Sequence, residues 1–446
     1  MKKIAIAGTG YVGLVTGVSL AEIGHDVICV DKDKRKIESL RSGKTPIYEP
    51  GLEEMMRKNM QKGKLFFTTS SFVGFKDADM IIIAVGTPKD ENGTLDLQYI
   101  EQAAKEIGRN ITKNNAMIVT KSTVPVGANR KIKEWIQTEL KGNIKFFIAA
   151  NPEFLRQGSA LYDTFHGDRI IIGAESEEAL DSLEALYQPF GIPIMKTDLK
   201  SAELIKTASN AFLALKISYA NTIAGICEQI GANIEDVSLG IGMDSRIGTS
   251  FLKAGIGFGG SCLPKDTAAL AGLANEVGEP AQLIHDILEV NKRQELSLLK
   301  KAIHRFKSLK GKNVAMLGLS FKPETDDVRD AASLTLARQL VMEGAKVTAY
   351  DPAAVENAKK VLGDLIYYAD SIEQALKNAD LAFIVTEWEE IRNIRLNLFY
   401  EWMREPIIFD GRNCFQLDKV KKCPLEYHSI GRPIVIGNSN VKRQLK

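Results

Sequence analysis

Apolar positions fall into three kinds of run along this chain. The first kind is short, continuous and β-branched: residues 3–7 (KIAIA), Val27–Val30, Met80–Val85, Ala116–Val119 and Phe146–Ala149. Runs of that length predict strands buried on both faces, as in parallel sheets. The second kind has helical spacing: Leu14, Val15, Val18, Leu20 and Ala21 follow a glycine-rich turn and stop at Gly24. Strand, turn, helix and strand in that order predict a βαβ unit. The third kind is one stretch, 199–231, rich in Ala, Leu, Ile and Lys, without proline and with Gly225 as its one interior glycine. It predicts a helix of unusual length, a spine between domains and a candidate subunit contact. Two shorter helices broken near Gly225 fit the same pattern.

The opening pattern returns near residue 311. Lys312–Leu317 (KNVAML) echoes the first strand, Leu340–Asp351 (LVMEGAKVTAYD) echoes Leu20–Asp31 (LAEIGHDVICVD), and Ala379–Val385 echoes Ala78–Val85. The second copy carries Gly318-Leu319-Ser320-Phe321-Lys322-Pro323 in place of a GxGxxG turn. The expected fold class is therefore α/β: two Rossmann-like doubly wound domains joined by a long central helix.

Composition narrows the class. The chain has 446 residues, a formal net charge of +2, 45% apolar and 26% charged residues, which is ordinary globular usage and excludes a disordered chain. Without a basic block, nucleic acid is not an expected partner. Five cysteines, none in a CxxC pair, predict neither a disulfide framework nor a zinc site, and fit a reducing cytoplasm. The N-terminal apolar run ends at Gly8, too short for a signal peptide, and no stretch has membrane-helix length. The five histidines stand apart from carboxylates and cysteines, so neither a metal site nor a histidine base is expected.

Four segments carry candidate chemistry. In Gly8-Thr9-Gly10-Tyr11-Val12-Gly13, Gly8 permits the turn, Gly10 lets a pyrophosphate approach and Gly13 lets the helix pack close. The helix N-terminus adds free N–H groups and a positive dipole. Asp31, at the end of the next strand, would accept the ribose hydroxyls and favours NAD over NADP, a preference that nearby Lys36 weakens slightly. In Gly255-Ile256-Gly257-Phe258-Gly259-Gly260-Ser261-Cys262-Leu263-Pro264-Lys265-Asp266, a glycine loop runs into a helix start. There the dipole and Lys265 favour thiolate at Cys262, a setting for a nucleophile; the other four cysteines read as inert. Lys206 and Asn210, one turn apart, could stabilise an oxyanion or form a solvated helix face. Ser122–Gly127 and Asn151–Arg156 follow strands at the ligand-binding end of a Rossmann sheet. Glu153 is a candidate base, or else a carboxylate capping a turn.

Together these segments resemble the nucleotide-sugar 6-dehydrogenases, the UDP-glucose/GDP-mannose dehydrogenase family. The likeness rests on GTGYVGL at 8–14, VGTP at 85–88, STVPVG at 122–127 and NPEFLR at 151–156. It continues through AELIKTASNAF at 202–212, RIGTSFLKAGIGFGGSCLPKD at 246–266 and GLSFKPETDDVRD at 318–330. The resemblance implies an NAD domain (1–198), a helical dimerisation domain (199–300) and a UDP-sugar-binding domain (301–446). It implies a homodimer that oxidises UDP-glucose to UDP-glucuronate with two NAD⁺, through a thiohemiacetal and thioester on Cys262. UDP-N-acetylhexosamines and GDP-mannose stay open as substrates. Lys206 and Asn210 would stabilise oxyanions, Asp266 would move protons, and Glu153 and Thr123 would orient the hydrolytic water.

By the same resemblance, Tyr11, Val12, Thr87, Thr123, Gln157, Lys265 and Arg329 join the turn glycines, Asp31 and Lys36 at NAD. Glu153, Phe154, Leu155, Arg156 and Gln157 would line the sugar nucleotide with Lys206 and Asn210. So would Phe251, Leu252, Lys253, Ala254, Gly255, Gly259, Lys322 and Arg412, while Arg246 would reach the partner subunit's substrate. The family usually has Glu where this chain has Gln157, which cannot take a proton; base duty therefore falls to Glu153. A single-step hydroxyacid dehydrogenase would not need Cys262 or a second Rossmann-like domain. An NAD-sensing regulator has no use for Lys206, Asn210, Cys262 and Asp266 together.

Overall fold

The structure, a computed structural model, describes residues 1–88 and 95–437. The chain forms two compact units: Met1–Ser209 with Gly272–Glu279, and Asn210–Ala271 with the chain from Pro280 onward.

The first unit is built on eight strands: β1 (Lys3–Ala7), β2 (Asp26–Val30), β3 (Leu65–Thr68), β4 (Met80–Ile83), β5 (Ala116–Thr120), β6 (Phe146–Ala150), β7 (Ile170–Ala174) and β8 (Ile194–Thr197). Their order is β3-β2-β1-β4-β5-β6-β7-β8, and β6–β7 is the one antiparallel pair. The first six follow the Rossmann order, in which the chain reverses direction between β1 and β4 and opens a crevice at their carboxyl ends. Alternate residues serve opposite faces: Ile4, Ile6 and Ile82 pack with Leu14 and Val18 of the helix Tyr11–Glu22. Ala5, Ile81, Ile83 and Ile118 pack with Ile100, Ile107 and Ile132 on the other side.

The second unit repeats the plan with β9 (Asn313–Leu317), β10 (Lys346–Tyr350), β11 (Tyr367–Tyr368), β12 (Leu381–Ile384), β13 (Ile407–Asp410), β14 (Glu426–Ser429) and β15 (Val435–Ile436). Their order is β11-β10-β9-β12-β13-β14-β15, the same winding as the internal echo predicts.

Leu199–Ile230 is one uninterrupted helix of 32 residues, roughly 48 Å at 1.5 Å per residue. The alternative of two helices broken near Gly225 does not hold. A single interior glycine costs only about 1 kcal/mol against alanine, which a helix with this many packed turns absorbs. The histidines need one correction as well. His428 Nε2 lies 2.7 Å from Glu426 Oε1, because residues two apart on β14 share a face. This pair, with Arg305 bonded to Glu426, is a packing feature of the second sheet.

Candidate active site

The dinucleotide turn carries its glycines for different reasons. A Cβ on Gly13 would lie 2.1 Å from the Gly8 carbonyl oxygen, and one on Gly8 would lie 2.8 Å from the Ala84 oxygen. Gly10 meets nothing within 4 Å: its freedom is toward open space. The helix that starts at Tyr11 has no side-chain cap and no acidic residue in its first turn. Its orphan N–H groups and dipole therefore face that space, which fits the phosphates of a dinucleotide. Asp31 Oδ2 accepts from Thr9 N (2.9 Å), Thr9 Oγ1 (2.6 Å) and Lys36 Nζ (2.9 Å). Oδ1 accepts from Asp33 N at 3.0 Å and is the oxygen with capacity for a ribose hydroxyl. Burial opposes the Asp31 charge, but these bonds outweigh it and hold the carboxyl below its usual range.

At the carboxyl ends of β5 and β6 lies a charged cluster. Lys206 Nζ donates to Glu153 Oε1 at 3.0 Å and to the Glu153 carbonyl at 2.7 Å, with both residues buried. The solvated-face reading of Lys206 and Asn210 is thus excluded: they are 4% and 7% exposed. Glu153 Oε2 accepts from Leu155 N at 2.7 Å, so the turn-capping role and the ion pair coexist. Burial works against the Glu153 charge, yet the Lys206 ammonium, the Leu155 N–H and Lys121 keep its carboxyl below the usual range.

Thr87 Oγ1 donates to the Thr123 carbonyl at 2.9 Å, which joins the VGTP and STVPVG segments. A cavity of about 10 Å³, near the lower limit for one water, is lined by Thr123, Ser122, Glu203 and Lys206 among others. Glu203 holds this wall. Its carboxylate accepts from Gly127 N (2.5 Å), Asn129 N (2.9 Å) and Asn129 Nδ2 (2.7 Å), so it caps the helix Ala128–Glu139 from the long helix. Burial pushes its carboxyl up. In the 153–157 segment, the centre of the Phe154 ring lies 4.1 Å from the Arg169 guanidinium and 5.5 Å from the Lys206 ammonium. After Gln157, Gly158 N donates to both Tyr11 Oη (2.7 Å) and Glu49 Oε2 (2.9 Å). The dinucleotide turn and the 153–157 segment therefore share one anchor.

In the second unit, Asn210 Nδ2 donates to Asp266 Oδ2 at 2.6 Å, and Lys265 Nζ to Asp266 Oδ1 at 2.6 Å. Cys262 directly precedes the helix Leu263–Glu276, whose second residue is Pro264. Ser261 Oγ lies 3.6 Å from its sulfur, and the Arg329 guanidinium is within electrostatic range of it. Burial pushes the thiols of Cys29, Cys414 and Cys423 up, which fits their inert reading. The glycine loop is held by its backbone. Gly255 N donates to Asn221 Oδ1 (2.8 Å) and Phe258 N to Asn291 Oδ1 (2.8 Å), while Gln294 Nε2 donates to Gly255 O (2.6 Å). Gly259 leaves no room for a Cβ, which would meet the Asp330 oxygen at 2.2 Å. Phe251 adopts φ +64°, a conformation that non-glycine residues rarely take. Leu252 O accepts from Ser238 Oγ at 2.9 Å.

The structure thus gathers Asp31 with Lys36, Glu153 with Lys206, Thr87 with Thr123, and Asn210 with Lys265 and Asp266. Arg156, Arg246 and Arg329 instead chelate their local partners Asp163, Asp244 and Asp327. Arg412 donates to the carbonyls of Val385, Gly257 and Phe321, which ties the glycine loop to β12 and to the segment after β9; Lys322 lies over the Phe321 ring at 5.9 Å. Sequence reasoning missed Lys121, Tyr187, Glu203, Asn221, Asn291 and Gln294. Their signal was faint: polar residues on helices or at strand ends, where a solvated reading is the default.

The second Rossmann-like sheet is closed to a dinucleotide. Asp351, the counterpart of Asp31, is 3% exposed. It accepts from Leu319 N, Ser320 N, Trp388 Nε1, Ala353 N and Ala354 N, which leaves no oxygen for a ribose. After β9 the next helix starts only at Ala332, whereas after β1 it starts at Tyr11.

Fold and site together define an NAD-dependent oxidoreductase with one dinucleotide turn and two Rossmann-type sheets. Residues 2–191 match the NAD binding domain of the UDP-glucose/GDP-mannose dehydrogenase family, 200–293 its central domain and 315–417 its UDP binding domain. The chain belongs to that family. It is 50% identical over 440 residues to UDP-glucose 6-dehydrogenase YwqF of Bacillus subtilis, covering 99% of this chain and 100% of that one. Among solved structures it is similar to a UDP-glucose dehydrogenase from Pyrobaculum islandicum (TM-score 0.91, 37% identity, 97% and 98% coverage). It is also similar to the UDP-N-acetyl-mannosamine dehydrogenase Cap5O from Staphylococcus aureus (TM-score 0.80, 26% identity, 100% of each chain).

Proposed function

We propose that this chain oxidises UDP-glucose at C6 to UDP-glucuronate, with two NAD⁺ reduced per sugar. The observation that carries the reading is full-length likeness at 50% identity to a UDP-glucose 6-dehydrogenase. The buried Glu153–Lys206 and Asn210–Asp266 pairs support it. NAD⁺ held at Gly8–Gly13 and Asp31 supplies a hydride acceptor in each of two rounds.

The chain's own residues do the rest. In the first round the C6 alcohol loses a hydride and a proton, and Asp266 receives that proton through a water. The Cys262 sulfur then bonds to the aldehyde carbon, and the carbonyl oxygen becomes an alkoxide that Lys206 and Asn210 stabilise. Loss of a second hydride leaves a thioester. Water, oriented by Glu153 and Thr123, adds to it, the C–S bond breaks, and the carboxylate and the Cys262 thiolate are the products, with two protons released to solvent. A four-electron oxidation at one carbon needs the aldehyde retained, and a covalent sulfur retains it.

The working organisation is an NAD segment to residue 198, a central segment to 300 and a UDP-sugar segment beyond. The assembly we favour is a homodimer. On the long helix Phe212, Tyr219 and Ile226 are 61%, 51% and 50% exposed at heptad spacing, an apolar seam suited to a second copy. The cytoplasm is the compartment we favour, since all five cysteines are unpaired. Among the described residues no helix is long and apolar enough to cross a membrane, and no group of His, Cys, Asp or Glu is arranged for a metal.

The test is NADH formation across UDP-glucose, UDP-N-acetylglucosamine, UDP-N-acetylmannosamine and GDP-mannose, repeated with Cys262→Ala. Turnover preferring UDP-glucose, with uronate formation abolished in the variant, is expected. A preference for another sugar overturns the substrate, and uronate at the wild-type rate from Cys262→Ala overturns the covalent route.

A further inference from the structure

Lys121 has no part in the mechanism above, yet it sits in the same cluster. It directly follows β5, and its Nζ donates to Asn151 Oδ1 at 2.8 Å. Asn151 directly follows β6. Its Oδ1 also accepts from Tyr187 Oη at 2.6 Å, and its Nδ2 donates to the Ile171 carbonyl at 2.8 Å. The amide is therefore locked in one orientation, with its oxygen toward the lysine. The Lys121 ammonium stands 5.6 Å from the Tyr187 ring centre. Its position is fixed by buried neighbours that spend their bonds on it.

Glu153 lies two residues after Asn151, the side chain that Lys121 bonds, and Lys206 of the long helix bonds Glu153; these two are the charged groups that act on Lys121. Tyr187, from the helix Glu177–Tyr187, is the third titratable neighbour, and burial pushes its hydroxyl up. The cluster thus holds two ammonium groups and one carboxylate. A single pair would suffice for structure, since Lys121 is itself partly withdrawn from water and an added cation so placed is unfavourable unless something uses its charge.

The proposed chemistry supplies the use. Lys206 cannot neutralise Glu153 fully and also stabilise a substrate oxyanion. Whenever it turns to the oxyanion, Glu153 would be left as a buried carboxylate without a counter-charge, and would take up a proton just when water must be oriented. We propose that Lys121 is a positioning residue for Glu153: a second ammonium that carries the charge of the carboxylate while Lys206 serves the substrate. The inference rests on the function proposed above. Two properties agree with it. Lys121 already helps to hold the Glu153 carboxyl below its usual range. Burial pushes the Lys121 ammonium down to about 8, with Glu153 opposing and Lys206 adding to that shift. The reserve charge is therefore present at neutral pH and lost in alkali.

The test follows the Glu153 carboxyl by carbon-13 NMR, its resonance identified by its loss in Glu153→Gln. In Lys206→Met, Glu153 is expected to stay ionised at pH 7. In Lys206→Met with Lys121→Met, its titration is expected to move up by about one pH unit or more. A Glu153 already neutral at pH 7 in the single variant, or unmoved in the double, overturns the inference. Should the double variant not fold, the single substitutions at Lys121 carry the test. Lys121→Met should shift the acid limb of the kcat/KM profile up by about one pH unit, a tenfold loss of activity below it. Lys121→Arg, which keeps the charge, should leave that limb in place. Limbs that superpose in all three proteins overturn the inference. The NMR readout needs no turnover, so failure to oxidise UDP-glucose would count against the function alone.

Discussion

Alanine at Gly13 and alanine at Gly10 should have opposite signatures, although both glycines belong to one motif. At Gly13 the new methyl would lie 2.1 Å from the Gly8 oxygen, 3.1 Å from its carbon and 3.2 Å from the Ala84 methyl. Non-bonded atoms sit comfortably at about 3.5 Å or more. Two of the three neighbours are backbone, so the helix must move away from the turn. Overpacking of this kind costs typically about 1–3 kcal/mol. Against it stands a gain of about 1 kcal/mol from replacing an interior helical glycine with alanine. At 2.1 Å from a backbone oxygen the upper end of that range applies, so a net loss of about 2 kcal/mol is expected. At Gly10 there is no atom to meet, and φ −72° suits any residue. Gly10→Ala should keep wild-type stability and still lose NAD affinity, about tenfold or more, because its methyl occupies the space where phosphates approach. The assays are thermal unfolding without nucleotide and fluorescence titration with NADH. A Gly13→Ala protein as stable as wild type, or a Gly10→Ala protein with unchanged affinity, would refute the reasoning.

Three further outcomes follow from the same geometry. Glu203→Ala removes the acceptor of three bonds at the start of the helix Ala128–Glu139 and should cost about 1–2 kcal/mol in urea unfolding. Because burial raises the folded-state value of Glu203, its share of stability is fully present below the unfolded value of 4.5 and is lost as pH rises through the folded one; wild type should therefore weaken against Glu203→Gln over that rise. Asp31→Ser removes the charge that would repel a 2′-phosphate and frees Lys36, so the ratio of NADP to NAD affinity should rise about tenfold or more by competition titration.

The fold was legible because both halves repeat one pattern. Continuous apolar runs at Ile4–Ala7 and Val314–Leu317 are readable as buried parallel strands, and Asp31 is placed by the strand before it. Candidate chemistry was legible where residue type and spacing coincide, as at Cys262, whereas the spacing of Lys206 and Asn210 left an oxyanion role and a solvated face both open. What escaped is long-range and backbone-directed. Glu203 reaches a helix that begins 75 residues earlier at Ala128, and Asn221, Asn291 and Gln294 act on carbonyl or N–H groups of the glycine loop. A polar residue on a helix carries no sign in sequence of the backbone it will hold. Lys121 was hidden in the same way, since a lysine at a strand end usually faces water. The pairing of His428 with Glu426 was open to view in the two-residue repeat of a strand.

The most direct test of the covalent account is stoichiometric. With UDP-glucose limiting and NAD⁺ in excess, NADH and uronate are counted at completion. Two NADH for each sugar, with no free aldehyde, is the predicted result. One NADH per sugar with released aldehyde would contradict retention of the aldehyde on Cys262.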